Sequence, residues 1–384
     1  MKNSQLVDTN KLNIIALAGH LTSKRGGLEL SLFDSLCSLS ERGHSITLVY
    51  EEEGNQLNEY RRFCDELVKI NSYKLNKGFL PDILKISVKQ NSVVYSNQYD
   101  NLFFAFSLSA LRKVPLVAHH RLEASTECNR LKIWKQRITL AGIHRHIAVS
   151  NAVKNDWVTK LDIKPELVDV VYNGIDPQIF QITHDLSSLR EKWGISVGRK
   201  IISYVGRLEN YKGIETLIRS FDNLLKSGVQ ADLLVAGKPI VSGESYVQYL
   251  KDLVTDLGID SHVKFLGHIT NVVELYHVSD IVVIPSEWLE AFGRVVIEAM
   301  ACGTPVIGSE VGGIPEILTD EFSSWLFEPG NQESLLQTLS KVINLKQSDP
   351  DISKLCKEHI SKNFKLEKAV DGIEKVLLKT IKAE

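Results

Sequence analysis

The feature that most constrains the fold is an alternation of short apolar runs with helical patterns. In the first half of the chain, five apolar runs are typical of buried parallel strands: 13–19, 45–50, 92–96, 115–120 and 146–150. Between the first two runs, residues 28–43 carry apolar side chains at helical spacing and end at a glycine. This βαβα order predicts a parallel, doubly wound sheet.

The same alternation restarts at residue 200, after the turn-rich sequence VYNGIDPQIF at 171–180. A strand at 200–206 precedes a helix at 214–228, and four more strand-like runs follow: ADLLVAG, VKFLG, DIVVIPS and TPVIGS. We therefore predict an α/β fold with two doubly wound, Rossmann-like domains that face each other across a cleft. The predicted segments are a first domain at 1–173, a linker at 174–199 and a second domain at 200–384. Packing of the last helix back onto the first domain is an open alternative.

The composition is that of an ordinary globular protein, with 43% hydrophobic and 24% charged residues. A formal net charge of -2 argues against a dedicated nucleic-acid-binding protein. The five cysteines include no C-x-x-C pair, which argues against a disulfide framework or a zinc site and favours a reducing compartment. No run approaches 18 consecutive apolar residues and the start does not resemble a signal peptide, so we expect a cytoplasmic protein.

The sequence EAFGRVVIEAMACGTPVIGSE at 290–310 begins with a glutamate and continues as a largely apolar run. A helix that begins near Arg294, with Gly293 as its cap, leaves Glu290 in the loop after the strand DIVVIPS. The backbone amides of Phe292, Gly293 and Arg294 then lie at the start of the helix, where donors without an intrahelical acceptor favour an anion.

Glu298 lies about one turn into this helix, and its neighbours are apolar on almost every side. A buried carboxylate is costly unless hydrogen bonds or an ion pair compensate it. Two kinds of partner would serve: the hydroxyls of a ribose, as in dinucleotide-binding folds, or donors of the protein itself. The pattern alone leaves these two open.

The sequence YVGRLENYKG at 204–213 joins a strand to a helix and contains Arg207 and Lys212. Two cations beside a helix start suit a diphosphate, although a solvated loop commonly carries the same residue types. Taken together with Glu298 and the amides around Gly293, they make a nucleoside diphosphate the simplest ligand.

The first half offers a weaker counterpart to this site. Gly26 and Gly27 stand between the first strand and the first helix, where backbone amides can approach phosphate or sugar closely. His119 and His120 end the strand 115–120, so they lie at the carboxyl edge of the predicted sheet. The alternatives are that Gly26 and Gly27 belong to an ordinary loop and that His119 and His120 have only structural roles.

These blocks occur in the order found in family 4 glycosyltransferases of the GT-B fold, which the chain closely resembles over nearly its whole length. EAFGRVVIE matches the E-x7-E signature of that family, and five further blocks match: MACGTPVIGSEVGGIPEIL, YVGRLENYKG, AVSNAVKNDWV, VYNGIDPQIF and GGLEL. The resemblance implies retaining transfer of a hexose-type sugar from a UDP-sugar, or next a GDP-sugar, to an acceptor hydroxyl. The expected setting is the synthesis of cell-surface polysaccharide, lipopolysaccharide or glycoconjugate.

The resemblance also implies roles for single residues. They are ribose binding for Glu298, diphosphate binding for Arg207 and Lys212, and sugar binding for Glu290 with the amides of Phe292 and Gly293. His120, or as a second choice His119, would contact the sugar near the reacting carbon. His268 marks the loop expected to meet the base.

Metal-dependent sugar transferases often hold their ion with a D-x-D pair. The D-x-D pair of this chain is Asp349-Pro350-Asp351, in a loop between late helices, and we interpret it as a turn. We therefore expect no metal ion and no cofactor besides the nucleotide sugar. Arg207, Lys212 and backbone amides would then stabilise the leaving group.

The acceptor is expected to be a sugar, a lipid-linked or a glycoconjugate hydroxyl. Residues 121–145 hold six basic and two acidic residues, which indicates either a solvated helix face or peripheral contact with a membrane. Residues 1–173 carry 23 basic and 18 acidic residues, which also favours an anionic partner. Two other functions stay open: a non-catalytic GT-B partner of an active transferase, and a nucleotide-sugar epimerase.

Overall fold

Two structural units, each built on one parallel sheet, make up the chain. The computed structural model describes residues 11–22, 26–127, 129–182, 186–196, 198–288 and 290–382. The first unit comprises residues 1–174 together with 366–384, and the second comprises 175–365. Predictions that fall on residues 1–10, on 23–25 of the glycine-rich loop and on Cys128 lie outside the described residues.

The first unit holds a seven-stranded parallel sheet in the order β3-β2-β1-β4-β5-β6-β7. Its strands are β1 (Asn13–His20), β2 (Ser45–Glu52), β3 (Glu66–Lys69), β4 (Ser92–Ser96), β5 (Leu116–His120), β6 (Arg145–Ala148) and β7 (Val168–Val170). Its first six helices are α1 (Gly27–Glu41), α2 (Leu57–Tyr60), α3 (Phe79–Lys85), α4 (Leu102–Arg112), α5 (Arg130–Ala141) and α6 (Asn151–Leu161). The five strands predicted from apolar runs are confirmed, and each is parallel to its neighbours.

The second unit holds a six-stranded parallel sheet in the order β10-β9-β8-β11-β12-β13. Its strands are β8 (Lys200–Val205), β9 (Ala231–Ala236), β10 (Val263–Gly267), β11 (Ile281–Ile284), β12 (Val306–Ser309) and β13 (Leu326–Phe327). Its helices are α7 (Leu186–Lys192), α8 (Ile214–Lys226), α9 (Gly243–Asp256), α10 (Val272–Val278), α11 (Arg294–Ala301), α12 (Ile314–Ile317), α13 (Gln332–Val342), α14 (Leu345–Ser348) and α15 (Ile352–Asn363). The predicted strands and the predicted helix at 214–228 are confirmed.

Within the segment 174–199, expected to be a linker, residues 175–199 belong to the second unit. It contains a 3-10 turn at Pro177–Phe180 and helix α7. Leu189 and Ile195 of this segment are buried in a cluster with apolar residues of β8, β9 and α10. Because most residues of this segment are polar, its few buried apolar positions do not form a recognisable pattern in the sequence.

The last helix, α16 (Leu366–Lys382), packs on the first unit, against α1 and strands β5 and β6. Its apolar face, which includes Val370, Ile373 and Leu377, is buried in the core of that unit. Arg42 contacts Glu374 on this helix at 2.5 Å, which adds a polar contact to the apolar interface.

Candidate active site

The order of strands in the second sheet brings the two predicted motifs together. The chain winds outward from β8 through β9 to β10 and then returns to β11, which lies on the other side of β8. The loops after β8 and β11 therefore leave the sheet side by side, at the switch point where doubly wound sheets bind ligands. Arg207 and Lys212 lie in the first of these loops, and Glu290 and Gly293 lie in the second.

Lys212 and Glu290 form an ion pair between Lys212 Nζ and Glu290 Oε2. The Ser286 hydroxyl donates a second hydrogen bond to the same carboxylate oxygen at 3.3 Å. The lysine side chain is 16% exposed and the glutamate side chain 21%, so both are partly shielded from water. The sequence predicted both residues for the site but not their contact with each other.

The loop that carries Lys212 is held against the end of β11 by close backbone contacts. Gly213 follows the 3-10 turn Asn210–Lys212 and has a positive φ of 66°. A Cβ atom at this position would lie 1.8 Å from the carbonyl oxygen of Pro285, so only glycine fits. The amide of Glu287 donates to the carbonyl oxygen of Tyr211 at 3.0 Å, which ties the two loops together.

Arg207 lies at the same edge of the sheet, but its side chain is exposed. Its carbonyl oxygen accepts a hydrogen bond from the hydroxyl of Tyr204 at 2.6 Å, which fixes the backbone of the turn. In the part of the chain that the structure describes, no acceptor lies within hydrogen-bonding distance of its guanidinium. The cation is therefore available to an anionic ligand.

Helix α11 begins at Arg294 as predicted, and Gly293 is its cap with a φ of 99°. Glu290 lies in the preceding loop, also as predicted. Two further glycines hold that loop: the amide of Gly313 donates to the carbonyl oxygen of Glu290 at 2.8 Å, and a Cβ atom on Gly312 would lie 2.0 Å from the same oxygen. The segment VGGIPEI therefore holds the loop that carries Glu290 in place. The sequence analysis did not predict this role.

Glu298 is buried, as predicted, but its carboxylate has partners within the protein. Oε1 accepts from Arg294 Nε at 2.8 Å, and Oε2 accepts from the hydroxyl of Tyr276 at 2.9 Å. Of the two kinds of partner that the sequence left open, the structure therefore supplies donors of the protein itself. Each carboxylate oxygen keeps a further lone pair, so ribose binding stays a prediction.

His268 follows β10, which is separated from β8 by β9. Its side chain is exposed, and the preceding Gly267 adopts a φ of 65°. The carbonyl oxygen of Gly267 accepts from the amide of Gly237 at 2.8 Å, so this loop lies beside the loop after β9. The structure places His268 at the carboxyl edge of the sheet, on the far side of β9 from Lys212.

In the first unit, Gly26 is the residue before helix α1, and Gly27 is its first residue. Gly26 has a φ of 144°, and a Cβ atom there would meet no atom within 4 Å, so backbone conformation rather than space favours glycine. The helix start follows the carboxyl end of β1, as predicted.

His119 and His120 occupy different environments at the end of β5. His120 Nε2 lies 2.8 Å from His146 Nδ1, and its ring stacks on Trp157 with centroids 3.5 Å apart. His119 Nδ1 lies 2.6 Å from the Tyr95 hydroxyl, whereas its Nε2 has no partner among the described residues. Of the two, the structure therefore favours His119, the second choice from the sequence, as the histidine with a ring nitrogen left for a ligand.

Burial keeps both imidazoles neutral. Loss of solvation is the main cause that holds the pKa of His119 well below its ordinary value, and the charge of Arg121 adds to it. The pKa of His120 is also well below its ordinary value, through burial and then through His146. Neither imidazole ring is therefore expected to carry a positive charge at pH 7.

Family models match both halves of the chain. The model described as Glycosyltransferase Family 4 matches residues 25–179, and the model described as Glycosyl transferases group 1 matches residues 186–359. Together they cover both structural units. The chain belongs to the family 4 glycosyltransferases.

Two relatives illustrate the sequence similarity of this glycosyltransferase. It is 27% identical over 353 residues to an N-acetyl-alpha-D-glucosaminyl L-malate synthase of Bacillus anthracis, across 88% of this chain and 90% of that protein. It is 32% identical over 244 residues to a D-inositol 3-phosphate glycosyltransferase of Corynebacterium kroppenstedtii, across 61% of this chain. The alignment spans about half of the second relative, 53% of its length.

Solved structures show that the glycosyltransferase has the GT-B fold. A glycosyltransferase from Rickettsia africae matches with a TM-score of 0.85 at 21% identity, over 98% of this chain and 100% of that chain. Anabaena HepE, solved in complex with UDP, matches with a TM-score of 0.81 at 24% identity, over 96% of this chain and 100% of that chain. Both sheets and their strand orders agree with this fold.

Glu209 is a buried residue of the glycosyltransferase that the sequence interpretation missed. Its Oε1 accepts from the amides of Ile240 and Val241 at 2.8 Å, and its Oε2 accepts from the amide of Ser242 at 2.7 Å. Burial by itself raises the pKa of this carboxyl, but the hydrogen bonds from Ser242 and the two other residues outweigh it and lower the pKa to about 2. Glu209 therefore fixes the loop after β9 beside the loop that carries Arg207.

The pair Asp349 and Asp351 forms a turn as predicted, since Asp349 Oδ1 accepts from the amide of Asp351 at 3.0 Å. Among the described residues, no group of three His, Cys, Asp or Glu side chains is arranged to hold a metal ion. Over the same residues, no helix combines the length and apolar character needed to cross a membrane.

Proposed function

We propose that the protein is a retaining hexosyltransferase that takes a hexose-type sugar from a nucleoside-diphosphate sugar, UDP first and GDP next, to an acceptor hydroxyl. The observation that carries the proposal is the pairing of Lys212 with Glu290 at the switch point of the second sheet, beside the start of helix α11. A cation and helix amides suit a diphosphate, and a carboxylate suits sugar hydroxyls. The complexes of Anabaena HepE with UDP and with UDP-glucose support UDP as the nucleotide.

In this mechanism Lys212 and Arg207 stabilise the charge that develops on the leaving diphosphate, helped by the amides of Phe292 and Gly293. Glu290 binds hydroxyls of the transferred sugar, Glu298 binds the ribose and His268 contacts the base. The charge on the diphosphate is met by these groups without a metal ion.

Retention follows from attack on the same face as the departing diphosphate. The bond from the anomeric carbon to the phosphate oxygen breaks, the bond to the acceptor oxygen forms, and the acceptor proton passes to the leaving phosphate oxygen. Glu290 is held by Lys212 and Ser286, which lowers its nucleophilicity and supports this route over a covalent intermediate. We place the reaction in the synthesis of cell-surface polysaccharide, lipopolysaccharide or glycoconjugate.

The direct test is incubation with a panel of UDP-, GDP- and ADP-sugars and hydroxyl acceptors, with release of free nucleoside diphosphate as the measurement. We expect release from one donor class only, dependent on an acceptor. Isomerised donor without an acceptor would instead indicate an epimerase. Nucleotide binding without turnover of any donor would contradict the proposed transfer.

We also propose that helix α5 contacts an anionic membrane surface. Leu131 and Trp134 on this helix are 72% and 61% exposed, which is unusual for large apolar side chains. Lys132 and Arg137 on the same helix are exposed cations that complement anionic lipid headgroups. Such a contact would bring a lipid-linked acceptor to the enzyme.

Sedimentation with vesicles tests this contact. The full chain should bind vesicles that contain anionic lipid more strongly than purely zwitterionic vesicles, and a Leu131→Ser, Trp134→Ser variant should lose most of this binding. Leu84→Ser, which removes an exposed leucine from helix α3, is the control that should keep it. Equal binding by the double variant would contradict the membrane contact.

A further inference from the structure

The carboxylate of Glu298 is held by donors from two helices of the second unit. Tyr276 lies on α10, which packs against α11, and its hydroxyl donates to Glu298 Oε2 at 2.9 Å. Arg294, one turn before Glu298 on α11, donates from Nε to Oε1 at 2.8 Å. Each carboxylate oxygen thus has one donor from the protein. Two such contacts fix the plane of a carboxylate, which a single contact would leave free to rotate.

The tyrosine and the glutamate differ in their exposure. Tyr276 is 0% exposed, whereas the side chain of Glu298 is 11% exposed. The hydroxyl therefore contacts the carboxylate from the interior, and part of the carboxylate remains accessible from outside. A carboxylate oxygen has two lone pairs, so one protein donor on each oxygen leaves one further acceptor position on each. Two hydroxyls on adjacent carbons, as in a ribose, match these two positions.

Tyr276 acts as a hydrogen-bond donor to this carboxylate. Burial, and then the charge of Glu298, hold the pKa of Tyr276 well above its ordinary value, so the phenol keeps its proton at neutral pH. An ionised carboxylate only accepts hydrogen bonds, which fixes the direction of this one. The hydroxyl proton is therefore committed to Glu298 Oε2.

A second chain of hydrogen bonds holds the backbone of Tyr276. The hydroxyl of Thr304, which is fully buried, donates to the carbonyl oxygen of Tyr276 at 2.7 Å. Lys346 Nζ in turn donates to Thr304 Oγ1 at 3.2 Å. The same ammonium group donates to the carbonyl oxygens of His277 and Ser279 at 3.0 and 2.8 Å. The carboxyl end of α10 is therefore held in place, and the tyrosine ring with it.

We propose that Tyr276 is a positioning residue for the nucleotide sugar: its hydroxyl orients the Glu298 carboxylate towards the two ribose hydroxyls. The proposal rests on the function proposed above, in which Glu298 binds the ribose, and adds the residue that orients this carboxylate. Glu298 lies four residues after the start of α11, about 6 Å along the helix axis. A ribose bonded directly to a phosphate at the helix start is within reach of a carboxylate at that distance. Tyr276 acts through Glu298 and does not itself contact the nucleotide.

Calorimetric titration of the full chain with UDP, 2′-deoxy-UDP and 3′-deoxy-UDP tests this role. In the native enzyme each missing hydroxyl should weaken binding about tenfold, because a hydrogen bond to a charged group is lost. In Tyr276→Phe, UDP should bind at least threefold more weakly, and the penalty for at least one missing hydroxyl should fall below threefold. A purely structural role would leave both penalties unchanged, and that result overturns the inference.

The native enzyme separates this inference from the proposed function. If it does not bind UDP, or binds all three nucleotides equally, the proposed ribose contact of Glu298 is contradicted, and the role of Tyr276 with it. If the native enzyme has the two penalties and Tyr276→Phe keeps them, only the role of Tyr276 is contradicted.

Tyr73→Phe is the matched control. The hydroxyl of Tyr73 is also buried, and it lies 3.0 Å from the carbonyl oxygen of Ala18 and 2.7 Å from that of Val49, in the first unit. This variant should lower the melting temperature, as Tyr276→Phe does, but keep both ribose penalties.

A second variant covers the case in which Tyr276→Phe does not fold. Thr304→Val keeps the tyrosine hydroxyl but removes the hydrogen bond to the Tyr276 carbonyl oxygen. We expect the penalty for at least one missing ribose hydroxyl to fall at least twofold in this variant. Unchanged penalties there would likewise overturn the inference.

Discussion

Lys212 is the single side chain on which the proposed donor chemistry depends most. Replacing it by methionine removes the cation that we propose to face the diphosphate but keeps much of the packing. We expect kcat/KM for the nucleotide sugar to fall about 100-fold, or about 2.7 kcal/mol, the usual effect of losing one donor to developing charge. Lys226→Met is the control, because Lys226 also pairs with a carboxylate, Asp222, but at the far end of helix α8. Steady-state kinetics that differ less than threefold between the two variants would contradict the role.

Glu298 has a structural role that is already visible and a ligand role that is predicted. Glu298→Gln removes the negative charge beside Arg294, so we expect the free energy of unfolding to fall by about 1–3 kcal/mol. The ribose role is separated by comparing the affinities of UDP and 2′,3′-dideoxy-UDP by calorimetry. Loss of the hydroxyls should weaken binding to the native enzyme but not further weaken binding to the variant. An equal penalty in both proteins would rule out a hydrogen bond from ribose to Glu298.

The sequence located the residues of the candidate site better than it identified their partners. Lys212 and Glu290 were found because each follows a strand, and parallel strands end at one edge of a sheet. One of the two partners of Glu298, Tyr276, lies on another helix, and no local pattern predicts that contact. His119 and His120 point to opposite faces of β5, and the sequence alone does not say which of the two rings keeps a nitrogen without a partner among the described residues.

At the scale of elements, the carboxylate of Glu209 holds the loop 238–242 in place by hydrogen bonds from its backbone amides. Glu209→Gln weakens three amide hydrogen bonds to a charged acceptor, so we expect the amides of Ile240, Val241 and Ser242 to exchange with solvent at least tenfold faster. Hydrogen exchange measured by NMR or mass spectrometry checks this. Unchanged hydrogen exchange in the loop would contradict the claim that Glu209 holds it in place.

The hydrogen bonds to Glu209 also predict that the stability of this loop decreases at low pH. The folded pKa of Glu209 is about 2, below its ordinary value of 4.5, so its stabilisation is complete above pH 4.5 and is lost as the pH falls towards 2. The difference in loop protection between the native enzyme and Glu209→Gln should therefore be constant at pH 6 to 8 and shrink below pH 4.5. A difference that grows on acidification would contradict this assignment.

Helix α16 is an element whose contribution to stability is testable by one substitution. Ile373 is buried between this helix and the rest of the first unit, so Ile373→Ala should lower the free energy of unfolding by about 2–5 kcal/mol. Thermal or urea unfolding measures the change, with Lys382→Ala at the exposed end of the helix as the control. A loss no larger than that of the control would mean that the helix is dispensable.

The long elements could be predicted from sequence because their burial produces clear periodicity. The short edge strands could not: β3 has four residues, β7 three and β13 two, too few to show a pattern. Helix α7 was missed for a related reason, since only a few positions of the segment 174–199 are buried. Both sheets were nevertheless predicted correctly, because the order of strands and helices, rather than any one element, determines a doubly wound fold.

For the whole molecule, the central claim is transfer of a sugar from a nucleoside diphosphate with retained configuration. The most direct measurement is NMR of the reaction with UDP-α-glucose labelled with ¹³C at the anomeric carbon, in the presence of the hydroxyl acceptor that gives turnover. The account predicts loss of the donor signal, release of UDP and a new anomeric signal with the α coupling constant. A β-configured product, or an unchanged donor signal with every acceptor and with the GDP-sugar as well, would contradict it.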